Sequence, residues 1–128
     1  MAYHDQFTLE DCLEWLREHV SAEDIAYIRA LPVEDIFQLH HSLGMAIRNN
    51  CNLWKDGTDK LVKDLEHFLW VGLLEDPLKL SQDKANRDQS DSIYHPDNCS
   101  SLVLRAYHGY LNGQISRGQF ERTEEWTR

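Results

Sequence analysis

Few features of this sequence point directly to a catalytic or binding function. Its 128 residues include only three cysteines, Cys12, Cys51 and Cys99, without a CxxC pair. That number and spacing exclude a disulfide framework and a zinc ribbon, so we expect small buried thiols. The longest near-continuous apolar run, residues 68–74, is too short to span a bilayer. The N-terminus carries no basic region and no apolar signal core, which predicts a cytoplasmic protein without a membrane contact.

Basic residues are also scarce. Lysine and arginine number 13 against 22 acidic residues, for a net charge of −9, and this balance argues against direct binding to nucleic acid or to anionic membranes. Residues 1–35 hold nine acidic and two basic residues, a net −7. This acidic segment is either a solvated face or a surface that meets a basic protein partner. Its candidate partner-binding residues are Glu14, Glu18 and Asp24.

Known catalytic motifs are missing as well. The chain has no HExxH, no glycine-rich phosphate loop and no G-x-S-x-G element. A metal triad or a Ser/His/Asp arrangement using His40, His95 and Asp97 stays open, because sequence does not tell whether these residues converge. Because no motif supports such a site, we predict no catalytic residues, no metal and no cofactor.

The secondary-structure signals in the sequence are mainly those of α-helices. Apolar residues recur at helical spacing from Leu9 onward, and capping residues precede several of these stretches. The pattern predicts an all-α fold: a single compact domain of about five helices, with a long polar loop before the last main helix. The domain is expected to span 1–113, with a mobile polar loop at 81–94 and a polar tail at 114–128.

One polar cluster lies at and just beyond the end of the third predicted helix. At 100° per residue His40 should point into the core, either as a hydrogen-bonded structural group or as part of a site. Gly44 costs about 1 kcal/mol relative to alanine in mid-helix, which indicates close packing of another helix or of a ligand. Arg48 either suits the negative helix end or offers a planar fork to an anion. Asn49 is a helix terminator or a ligand contact, and Trp54 adds core bulk or a stacking surface.

A second polar cluster opens the fifth predicted helix. Pro96 suits the first helical position, and Asp97 can satisfy free N–H groups there. The functional alternative is that His95 and Ser100 contact a small anionic ligand. Unpartnered charge beside an apolar helix is costly, so we predict that Arg48 lies within reach of Asp97 or His95.

Two ordered elements carry a family resemblance. The pattern LHxxLGxxIRN over residues 39–49, with LW at 53–54, is followed by HPDxxS at 95–100. These elements resemble a small bacterial and phage domain family of unknown function, over residues 36–112. The family's second element reads HPDD, whereas this chain has HPDN after a long polar insert. The resemblance implies no activity, only the ligand-binding candidates His40, Arg48, Asn49, Trp54, His95, Asp97 and Ser100.

Three functions remain open at this level. The first is a non-catalytic acidic binding protein, of phage or mobile-element origin, that inhibits or sequesters a partner. The second is a protein that binds or hydrolyses a small molecule, such as a nucleotide, at the Arg48/Asn49/His95/Asp97 cluster. In the third, the clusters are purely structural and the domain is a scaffold or oligomerisation module. The oligomeric state is not predicted.

Overall fold

Helices make up most of the regular structure. The computed structural model describes residues 6–51, 53, 58–75, 79–83, 85 and 89–121. In chain order its helices are α1 (Leu9–His19), α2 (Ala22–Ala30), a 3₁₀ helix (Val33–Leu39), a π-helical turn (His40–Gly44), α3 (Met45–Asn50), α4 (Asp59–Trp70), α5 (Pro96–Leu111) and α6 (Arg117–Glu121). Within the described ranges there is no strand, apart from one isolated bridge. The predicted all-α single domain is confirmed.

The start of α1 is stabilised both locally and from α4. Thr8 and Asp11 form a reciprocal capping box, as the sequence signal predicts. The carboxylate of Asp64, which lies on α4 and is buried, accepts a hydrogen bond from the Leu9 N–H at 2.9 Å. A buried charged acceptor on a free helix N–H adds about 1.5–3 kcal/mol. This bond fixes α1 against α4.

The core is built around α5. Ten of its sixteen residues are buried, including the eight consecutive positions 102–109, which cover all faces of the helix. A helix that is buried on nearly all sides lies inside a domain rather than on its surface. Helices α1 to α4 and the 3₁₀ and π segments therefore surround α5, and they contribute the remaining apolar side chains of the core.

The segment 33–50 is less regular than the single predicted helix. It begins as a 3₁₀ helix, widens to a π turn and ends as α3. Because 3₁₀ and π turns advance by different angles than an α-helix, side-chain directions change along the segment. Ile36 and Ile47 still reach the core, whereas Leu39 and Leu43 are only half buried.

Backbone hydrogen bonds join the two ends of the polar segment before α5. Ser81 donates its N–H to the Asp91 carbonyl at 2.7 Å and accepts from the N–H of Ile93 at 2.9 Å. Ile93 itself is fully buried. Residues 84 and 86–88 of the expected loop lie outside the described residues, and its mobility stays a prediction.

The domain extends beyond Gly113, where the sequence interpretation ended it. Ile115 and Phe120 are both 1% exposed, and the Phe120 ring lies 5.4 Å from that of Phe68. Ile115 and Phe120 thus anchor the first part of the predicted polar tail, including α6, to the core. Residues 122–128 lie outside the described part of the chain.

None of the helices in the described ranges combines the length and apolar character that a bilayer-spanning helix needs.

Candidate functional site

The two polar clusters meet between α3 and α5. Arg48 Nη1 donates to Ser100 Oγ at 2.9 Å, and Nη2 donates to the His40 carbonyl at 3.1 Å. Its Nε lies 3.6 Å from Asp97 Oδ1. The predicted contact between Arg48 and Asp97 is confirmed. We call these four residues the Arg48 latch, because Arg48 joins the π turn to the first turn of α5.

The first turn of α5 is ordered by its own polar side chains. His95 Nδ1 accepts from the Asp97 N–H at 3.2 Å and so caps the helix. Ser100 and Ser101 both donate their hydroxyl groups to the Asp97 carbonyl, at 3.1 and 2.9 Å. Since Ser100 also accepts from Arg48, its hydroxyl has both a donor and an acceptor partner. His95 therefore serves as a helix cap, and Ser100 as a bridge.

Gly44 makes room for the arginine. A Cβ at this position would lie 3.2 Å from Arg48 Nη1 and 3.3 Å from the Leu39 carbonyl oxygen. Such distances are tighter than ordinary contacts, so the guanidinium or the backbone would have to move. The close packing predicted from this glycine is real, and it involves Arg48 from the same helical segment and Leu104 of α5.

His40 does not enter the hydrophobic core as its predicted helical position implied. It is half buried, its Nδ1 lies 3.4 Å from Arg48 Nη1, and its ring packs edge-on against His41 at 4.9 Å. Arginine only donates hydrogen bonds, so Nδ1 is the acceptor and carries no proton. The prediction is wrong because the 3₁₀ and π turns rotate His40 away from the α-helical direction.

The remaining ligand-binding candidates are Asn49 and Trp54. Asn49 is exposed on α3, and its neighbour Asn50 donates its side-chain amide to the Ala46 carbonyl at the helix end. Trp54 lies outside the described residues. The part of the ligand-binding set that converges is therefore His40, Arg48, Asp97 and Ser100, with His95 as the cap.

The three cysteines converge in the core as free, buried thiols. A hydrogen bond with Cys51, together with burial, raises the pKa of Cys12 well above its ordinary value. Burial raises the pKa of Cys99 to about 12. Because the thiolate is the reactive form, the raised pKa values make Cys12 and Cys99 poor nucleophiles. The prediction of small buried thiols is confirmed.

The acidic candidates of the N-terminal segment divide into two groups. Glu14 is paired with Arg17 at 3.1 Å and with Arg117 of α6. The hydrogen bond from Arg117 lowers the pKa of the Glu14 carboxyl below its ordinary value. Glu18 and Asp24 are exposed on α1 and α2. Glu14 therefore holds α6 against α1, whereas Glu18 and Asp24 are more exposed and have no ion pair among the described residues.

A groove of about 440 Å³ opens between the end of α1, α2 and the segment around the π turn. Its floor is apolar and consists of Val20, Ile28, Leu39, Leu43 and Ala46. Its rim carries His19, Asp24 and Tyr27. The groove thus combines an apolar floor with one of the predicted partner-binding carboxylates.

A second cleft, of about 310 Å³, lies beside the C-terminal half of α5, whereas the Arg48 latch lies at the N-terminal end of that helix. Arg105 and His108 line it together with Glu75 and Gln114. Arg105 and His108 are not among the site residues predicted from the sequence. The available signal was an arginine inside the apolar run Leu102 to Tyr107, where a charged side chain is rarely buried without a reason.

Comparison with known proteins gives one match. Residues 7–68 match the model of a family described as a domain of unknown function (DUF6794). The match covers α1 to α4 and includes Arg48, but it ends before the His95 cap. No curated protein and no solved structure matches the chain. The chain is therefore similar to an uncharacterised family, and the similarity assigns no activity.

The described residues also contain no group of three or more His, Cys, Asp or Glu side chains arranged to hold a metal ion.

Proposed function

We propose that this protein is a non-catalytic binding module that takes an apolar, basic helical segment of a protein partner into the groove between α1, α2 and the π turn. By covering that segment it would sequester or inhibit the partner. The observation that carries the proposal is the apolar floor beside Asp24, in a region of strong negative charge.

The apolar character of the surface around the groove supports a protein occupant. Tyr27 on the rim is 54% exposed. Phe37 of the 3₁₀ helix and Met45 of α3 are also exposed, on elements adjoining the groove. Exposed aromatic and methionine side chains around an apolar depression are typical of surfaces that bind a helix. The groove volume suits a few side chains of such a helix.

Charge determines the kind of partner. Residues 6–35 carry eight acidic and two basic residues, and Glu18 and Asp24 face solvent next to the groove. Complementary charge speeds the association of a basic partner and disfavours an acidic one. The effect acts within a Debye length of about 8 Å at physiological salt. A helix with lysine or arginine flanking its apolar stripe fits this arrangement.

The small-molecule alternative has less support. Arg48 is 2% exposed, and its guanidinium already binds His40, Ser100 and Asp97. A ligand would have to break these bonds before it received one from either Nη group of Arg48, and Nε is buried beside Asp97. The Arg48 latch therefore supports a structural role, which leaves the groove as the better candidate for function.

A synthetic amphipathic peptide of leucine and lysine tests the proposal, with a leucine and glutamate peptide as its acidic counterpart. Fluorescence anisotropy should show binding of the basic peptide only, weakening as salt is raised. Asp24→Lys should lower the affinity by about tenfold, and Ala46→Phe, which fills the floor, should lower it further.

Glu75→Lys is the matched control, because it makes the same charge change in the other cleft. It should reduce the affinity much less than Asp24→Lys. Equal losses in the two variants would show that binding follows overall charge alone, and the groove would lose its assigned role.

Two finer features belong to the same proposal. We place the protein in a cytoplasm, since three free thiols fit a reducing compartment. We also assign it a bacterial or phage origin, for which the ordered IRN, LW and HPD elements are the support.

A further inference from the structure

We propose that the second cleft, on the far half of α5, is a binding site for a small organic carboxylate that Arg105 receives. The cleft has a volume of about 310 Å³ and shares no lining residue with the groove. This site is independent of the proposed protein partner. No feature of the matched family assigns it.

Arg105 is the reason to expect an anion. It is 9% exposed and lines the cleft. Within the described part of the chain its guanidinium has no hydrogen-bond or ion-pair partner, and its Nε is fully buried. A buried guanidinium without hydrogen-bond partners is disfavoured, so a ligand that supplies acceptors to it would be bound. The guanidinium fork matches the two oxygens of a carboxylate.

His108 adds a second polar group, one turn further along α5. Its Nε2 donates to the Leu31 carbonyl at 2.7 Å. Its Nδ1 is buried and has no partner among the described residues. Residues three apart on a helix lie on the same face, so the side chains of His108 and Arg105 border the same cleft.

The other residues that line the cleft indicate which kind of anion fits there. Val33, Leu73 and Leu74 form apolar walls, which favour a ligand with an apolar body. Glu75 also lines the cleft, and its negative charge opposes a multiply charged phosphate. A cleft of this size lies at the lower end of the range for small-molecule sites, roughly 300–1,000 Å³. One carboxylate on a compact aromatic or aliphatic body fits best.

Benzoate is a suitable probe, with neutral benzamide and inorganic phosphate as its matched comparisons. Benzoate should raise the melting temperature of the full chain, give saturable heats in titration calorimetry and shift the Arg105 Nε–H resonance. Benzamide and phosphate should do so much more weakly. Equal effects of benzamide would overturn the proposal, and tighter binding of phosphate would overturn the carboxylate assignment.

Two variants locate the binding. Arg105→Gln removes the charge and should weaken benzoate binding by about tenfold or more. Gln114→Glu places a tethered carboxylate in the cleft with little change of shape. It should raise the melting temperature and compete with benzoate, which keeps the test decisive even if Arg105→Gln folds poorly. Asp24→Lys, in the groove, should leave benzoate binding unchanged. Unaltered benzoate affinity in Gln114→Glu would refute the site.

Discussion

Arg48 and Arg105 are both buried against α5, yet their surroundings differ completely. Arg48, at the first turn of α5, is 2% exposed and is bound by a carbonyl, a hydroxyl and a carboxylate. Arg105, in the second half of the helix, is 9% exposed and has no such partner among the described residues. The first arginine joins two helices, and the second borders a cleft.

The comparison shows that burial alone does not identify a functional arginine. A buried guanidinium whose two Nη groups are hydrogen-bonded within the chain, and whose charge is paired with a carboxylate, stabilises the fold and has little left to offer a ligand. A buried guanidinium without partners costs stability and gains most from an external anion. Whether a buried arginine is structural or able to bind a ligand depends on its hydrogen-bond and ion-pair partners. Its residue type and its degree of burial do not distinguish the two cases.

Replacing Arg48 should have the largest effect. Arg48→Met keeps an apolar chain of similar length but leaves the Ser100 hydroxyl and the His40 carbonyl without their donor. We expect a loss of about 2–3 kcal/mol in the free energy of unfolding, measured by urea denaturation. Arg29→Met, at an exposed position of α2, is the control and should change stability by about 0.5 kcal/mol or less. A loss below that of the control would remove the structural role of the Arg48 latch.

The same substitution at Arg105 should act in the opposite direction. Arg105→Met removes a buried charge and leaves no described acceptor unpaired. Without a bound anion, the unfolding free energy should stay unchanged or rise by about 1 kcal/mol. Urea denaturation in a buffer free of organic acids measures it. A loss as large as that in Arg48→Met would show that Arg105 is held by the fold, and the contrast between the two arginines would fail.

Asp97 should contribute much less to the latch than Arg48. Its side chain is 48% exposed and lies 3.6 Å from Arg48 Nε, so solvent screens the ion pair. Asp97→Asn should cost below about 1 kcal/mol, because the Ser100 and His40 contacts of Arg48 remain. Thermal unfolding at low and high salt checks this. A cost that matches Arg48→Met would instead make the ion pair the main contribution to the latch.

Much of the Arg48 latch was predictable. Asp97 at a helix start and Arg48 at a helix end are both unfavourable beside an apolar core unless they are paired, and the pairing prediction is confirmed. The position of His40 was not predictable, since a helical wheel assumes one helix type throughout. The segment 33–50 uses three.

The sequence by itself determined the helices, their caps and most of the core, because apolar spacing and capping chemistry act over a few residues. Thr8, the helix end at Asn50 and the buried cysteines all follow from such local patterns. Apart from the predicted Arg48–Asp97 pair, only the tertiary structure decided which polar groups met. The separation of 52 residues between Arg48 and Ser100, and the lack of any partner for Arg105 in the described chain, result from how helices pack around α5. Packing brings together groups far apart in the chain, and no local spacing records that distance.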